Sequence, residues 1–152
     1  MTTESVEIAA PAETVWSLVS DLTRMPEWSP ETIKVAWTRG SSGPVAGATF
    51  KGTNRANVRR WSTSCRIIVA DPPQELAWEV YAPGKVKVAE WRYRIETLDE
   101  RSCRVTELAV DHRPGWFKLA TNVITGITDR EAHNAKGMRE TLARIKAAAE
   151  DN

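Results

Sequence analysis

Histidine and cysteine are scarce in this chain of 152 residues, two of each. Two histidines exclude a histidine-rich metal site. Cys65 and Cys103 have no CxxC spacing, which leaves a zinc centre or a disulfide framework unsupported and makes reduced, buried thiols the expectation. No apolar run has the length a membrane span needs, and Met1 to Ile8 lacks the basic start and apolar core of a secretory signal. A soluble cytoplasmic protein is the reading that follows. GxGxxG, P-loop, GxSxG, HExxH and aspartate-rich metal motifs are all missing, so nucleotide use and serine hydrolysis have no local support, and neither a cofactor nor a metal is expected. Repeats, low-complexity tracts and linkers are absent too, and the length suits one domain over 1–152.

Acidic residues are missing locally. Thr32 to Ala70 contains no Asp or Glu, while Lys34, Arg39, Lys51, Arg55, Arg59, Arg60 and Arg66 give that segment +7 within a chain of net charge +1. The remainder then carries −6, and the molecule is expected to be electrically polarised. Lys51, Arg55, Arg59, Arg60 and Arg66 form a candidate basic surface for an anionic lipid surface or an acidic partner; solubilising charge on an exposed strand face is the competing explanation. The near-zero total argues against a nucleic-acid partner.

What is abundant is tryptophan, seven residues against two Phe and two Tyr. The strongest helical signal is the last stretch. Thr128 and Glu131 have the spacing of a capping box, and Ile127, Met138, Leu142, Ile145 and Ala149 recur at three- or four-residue steps, which predicts a long helix over about 128–149. Glu131 and Asn134 fall on that apolar face, and Gly137 beside it permits close approach of another backbone. Such a helix packs at its far end and borders a cavity at its near end. His133 points away from the stripe and reads as solvated.

Along the chain, Ser5 to Ala9 reads as a strand. Pro11 opens a helix carrying Val15, Trp16, Leu18, Val19 and Leu22 through Thr23, and Met25 to Glu31, broken by two prolines, is a short second helix or turn that brings Trp28 inward. The period then changes to two. Six strands follow to about Asp111, separated by turn residues such as Pro83-Gly84, and these should form an antiparallel meander. Trp116, Leu119, Ala120, Val123 and Ile124 form a short amphipathic helix ending near Gly126; whether it merges with the final helix is left open.

Three stretches carry a family resemblance: Val6 to Trp16, Met25-Pro26-Glu27-Trp28-Ser29-Pro30-Glu31, and Gly137 to Lys146. Through them the chain resembles the START-like, SRPBCC helix-grip superfamily, in particular its bacterial polyketide cyclase/dehydrase and lipid-transport group. The resemblance implies an α+β fold: a curved seven-stranded antiparallel sheet wrapped around a long C-terminal helix, with two short helices between strands 1 and 2. It also implies a cavity between sheet and helix for a hydrophobic or amphipathic small molecule. The resemblance implies a bacterial source, and the ratio of 14 Arg to 7 Lys is that of a GC-rich genome. Trp28, Trp78, Trp91, Tyr93, Asn134 and Met138 are the candidate ligand contacts.

Catalytic candidates are few. Glu107 has two possible orientations. It shares a face with Cys103, Val105 and Ala109, where a carboxylate aimed into a dry cavity would have a raised pKa; if Thr106, Leu108 and Val110 are the buried face, Glu107 is solvated. Asp111 beside His112 is the other candidate, a proton-transferring pair or an exposed turn. Three functions remain: a carrier or sensor of a lipid or polyketide-like molecule, a cofactor-independent cyclase/dehydratase, and a docking module built on the basic hairpin 51–66. Oligomeric state is not encoded in any of these signals.

Overall fold

The computed structural model describes residues 1–151. In chain order it contains β1 (Thr2–Ile8), α1 (Ala12–Val19), a 3₁₀ helix (Leu22–Glu27), β2 (Thr32–Thr38), β3 (Thr49–Ala56), β4 (Arg59–Asp71), β5 (Glu75–Ala82), β6 (Val86–Asp99), β7 (Ser102–Asp111), α2 (Gly115–Thr125) and α3 (Arg130–Glu150). All seven strands form one antiparallel sheet in the order β1-β7-β6-β5-β4-β3-β2. The meander from β2 to β7 pairs neighbours in sequence, and β1 closes on β7 with Val6 opposite Val105. Register slips by one residue at Ile67/Val69, Val80/Tyr81 and Thr97/Asp99. Extra residues of this kind bend and twist the strand that carries them, and they help curl the sheet around α3.

The alternation read from the sequence becomes the two faces of that sheet. Phe50, Cys65, Ile67, Leu76, Trp78, Tyr93, Ile95, Cys103 and Val105 are buried, and one continuous core joins them to Val15, Leu18 and Val19 of α1 and Leu142, Ile145 and Ala149 of α3. The far half of α3 therefore packs on α1 and β1. Arg92 and Arg94 face the other way, paired with Glu75 and, for Arg92, Glu90. Cys65 and Cys103 are free and buried, and burial pushes the Cys65 thiol up to about 12.

Helix boundaries differ from the sequence expectation in two places, and a third, left open by the sequence, is decided. α1 stops at Val19 rather than running through Thr23, because the chain turns at Asp21, whose carboxylate accepts from Thr23 Oγ1 at 2.8 Å. α3 is capped by Asp129, not Thr128: the Asp129 side chain accepts from the Ala132 amide at 3.1 Å, and Glu131 points outward, 3.8 Å from the Met1 amino group. α2 and α3 are separate helices. Gly126 ends α2 in the left-handed region at φ 73°, a conformation glycine adopts without steric cost.

Candidate functional site

The sheet's concave face and α3 do not meet everywhere. At the near end of α3 they enclose a cavity of about 760 Å³, within the range of small-molecule pockets. Phe50, Trp78, Val80, Trp91 and Tyr93 line it from the strands, Met138 and Thr141 from α3, and Phe117 and Ile124 from α2. The aromatic wall is continuous. Phe50 meets Trp78 edge-on with centroids 6.1 Å apart, Trp78 lies 5.9 Å from Tyr93, and Trp91 is the cross-strand partner of Trp78. Rings in these geometries hold one another in place and give a rigid apolar surface.

Glu107 faces this interior. It stands opposite Tyr93 in the β6–β7 register and is buried, with Cys103, Val105 and Ala109 on the same side. Burial pushes its carboxyl up to about 8, against the smaller pull of the Tyr93 phenol in the other direction. The same burial, with the neighbouring carboxylate, raises Tyr93 well above the usual phenol range. Two buried side-chain oxygens, Glu107 Oε2 and Asn134 Oδ1, have no hydrogen-bond partner among the described residues. Both residues line the cavity.

A polar cluster closes the rim. Arg130, in the first turn of α3, places Nη1 3.0 Å from Glu31 Oε1 and stacks over Trp61 with 5.9 Å between guanidinium and ring. His133 Nε2 is 3.7 Å from the same carboxylate oxygen, so His133 sits at the cavity mouth rather than facing open solvent. Burial works against the Glu31 carboxylate, yet His133 and Arg130 outweigh it and hold the group below its ordinary range. Sequence reading missed this cluster: its members lie about a hundred residues apart, and no spacing rule connects them.

The other expected residues fall in several places. Trp78, Trp91, Tyr93, Asn134 and Met138 are on the cavity wall. Trp28 is not; the 3₁₀ helix buries it in the core, where Arg24 stacks on its ring at 5.1 Å and Arg144 Nη1 donates to its carbonyl at 3.2 Å. The Asp111/His112 pair does not form. Asp111 is gripped by Arg113, whose Nη2 lies 2.8 Å from Oδ2 and whose Nε and backbone amide both reach Oδ1 at 3.0 Å, while His112 is exposed. Burial alone would raise Asp111, but Arg113 reverses the sign. Lys51, Arg55, Arg59, Arg60 and Arg66 are all exposed; Arg55 also reaches the cavity rim, and Arg59 Nη1 donates to the Val123 carbonyl at 2.8 Å. Among the described residues no three His, Cys, Asp or Glu side chains gather closely enough to share a metal ion.

A curved antiparallel sheet gripping a C-terminal helix around a cavity is the START-like, helix-grip architecture. The chain belongs to the family "Polyketide cyclase / dehydrase and lipid transport", whose model matches residues 2–150. Among solved structures it is similar to the Polyketide_cyc-like protein Cgl2372 from Corynebacterium glutamicum, at 34% identity and TM-score 0.64 over 97% of this chain and 90% of that one. It is similar in fold to DR_A0006 from Deinococcus radiodurans, at 14% identity and TM-score 0.69 over 98% of this chain and 96% of that one. The di-domain ARO/CYC StfQ from the steffimycin biosynthetic pathway shares the fold at 14% identity and TM-score 0.71, over 99% of this chain and 44% of StfQ, so this chain spans about one half of that protein. No curated protein matches.

Proposed function

We propose that the cavity holds one hydrophobic or amphipathic small molecule in a carrier or sensor role, and that the molecule's polar end is a hydroxyl or enol. The observation that carries this is the pair of unpartnered buried oxygens, Glu107 Oε2 and Asn134 Oδ1, on a cavity wall that also carries Phe50, Trp78, Trp91 and Tyr93. A buried acceptor left unpaired costs about 1–3 kcal/mol, which a guest able to pair it returns. With its pKa near 8, Glu107 is mostly the neutral acid at pH 7, with one O–H to donate; Asn134 Oδ1 accepts. A hydroxyl answers both. Trp78, Trp91, Tyr93 and Met138 then supply apolar walls for the rest of the guest.

The test compares 1-naphthol with naphthalene, binding followed by fluorescence on the intact protein. The hydroxyl should tighten binding by roughly 3- to 10-fold, the worth of one hydrogen bond, and Asn134→Leu should erase that advantage. Equal affinities of the two probes for the unaltered protein, or no binding of either, would refute the reading. Mass spectrometry of gently purified protein then identifies the natural guest.

A second reading, a cofactor-independent cyclase or dehydratase, is favoured by one feature: a buried, protonatable carboxyl on the wall of a shaped cavity. There Glu107 as carboxylate would remove a proton from carbon beside a carbonyl, the enolate would attack a second carbonyl, and the acid form would return the proton to the new alkoxide. Glu107→Gln should then lower turnover of a linear polyketone by about 100-fold or more while its affinity stays within a few-fold. Surviving turnover would remove Glu107 from that role.

A further inference from the structure

Helix α2 turns its apolar side outward. Trp116, Leu119 and Val123 are 71%, 72% and 67% exposed, while Ile124 lies toward the cavity side. Their spacing makes one stripe along the helix, a kind of patch that solvated surfaces seldom carry without a partner. The β3–β4 hairpin reaches the same region. Val58 at its tip is 95% exposed, and Arg59, one residue on, is tied to the Val123 carbonyl.

Basic side chains gather around this stripe, and Asp111, close to Lys118, is already tied to Arg113. Arg55 pairs with Arg60, and Ala56 with Arg59, in the last two cross-strand positions before the tip, and Lys118 projects from α2 itself. The chain has no Asp or Glu from Thr32 to Ala70 and none from His112 to Thr128, and these two acid-free stretches meet where Arg59 bonds to Val123. We propose that α2 and the β3–β4 tip form a docking surface for an anionic lipid bilayer. Trp116, Leu119, Val123 and Val58 enter the boundary between headgroups and acyl chains, and Arg55, Arg60 and Lys118 meet lipid phosphates. Charge complementarity selects this occupant. A second copy of the chain would set like charges against one another across a two-fold axis, whereas a phosphate surface neutralises them. The opposite side of α2, through Phe117 and Thr121, lines the cavity, so docking sets one cavity wall against the bilayer.

Co-sedimentation of the full chain with vesicles tests this. Binding is expected to phosphatidylcholine vesicles containing phosphatidylglycerol and not to phosphatidylcholine alone, and it should weaken by about tenfold or more between low and physiological salt. Leu119→Glu, and separately the pair Arg60→Glu and Lys118→Glu, should each abolish it; all three positions are exposed, and circular dichroism confirms that the variants fold. Absence of binding at low salt, or equal binding by Leu119→Glu, overturns the proposal. So does a dimer in solution that Leu119→Glu splits while vesicles go unbound, which assigns the face to a second copy.

Discussion

Glu107 carries the most consequence of any single side chain. Its pKa in the folded protein is near 8 against an ordinary 4.5, so the native state holds this proton more tightly than the unfolded chain does. The sign follows from proton linkage: its effect on stability is neutral below about pH 4.5 and grows destabilising as pH rises toward 8, at up to about 1.4 kcal/mol per pH unit. Denaturant titrations of unaltered protein and Glu107→Gln should therefore diverge across that window, with the Gln variant relatively more stable at the alkaline end. A constant difference from pH 5 to pH 9 would contradict the burial-raised carboxyl. In the sequence, Glu107 was one of two parities of a strand that is apolar on both sides, since Leu108 is buried as well as Val105 and Ala109. Only the pairing with Tyr93 decides which way it faces.

At the scale of elements, the junction between α2 and α3 sets the cavity's rim. Gly126 is held there twice, by its positive φ and by Arg59: a Cβ at this position would lie 2.7 Å from Arg59 Nε and 3.0 Å from its Cδ. Gly126→Ala should cost about 1–2 kcal/mol in thermal melts from the left-handed backbone alone, and it should also displace Arg59 from the Val123 carbonyl. A melt within a few tenths of a degree of the unaltered protein would contradict this. Element types were legible throughout, since period two, period 3.6 and the proline and glycine positions mark strands, helices and breaks. Ends were less so. Thr128 satisfied the capping-box pattern, but Asp129 one residue later made the bond, because a short acceptor at either position serves and the turn after Gly126 chooses between them.

Across the whole molecule, α3 divides into a half that stabilises and a half that borders the cavity. Ile145, fully buried against α1 and the sheet, should cost about 2–5 kcal/mol when replaced by Ala. Asn134→Leu removes an unpartnered buried oxygen and should leave stability unchanged or raise it. Unfolding midpoints of the two variants, measured side by side, check the division; equal losses would contradict it. By itself the sequence determined the order of elements, the antiparallel meander, the apolar stripe of α3 and the family, because those depend on local periodicity and on contiguous motifs. The tertiary structure alone decided that Trp28 fills core rather than cavity, that Arg113 holds Asp111 away from His112, that Glu31, Arg130 and His133 gather at the rim, and that Glu107 faces inward beside Tyr93. All but the Arg113 grip, a local contact two residues along the chain, are contacts between residues on different elements, set by the curvature and register of the sheet, and none of those is written in the spacing of neighbours along the chain.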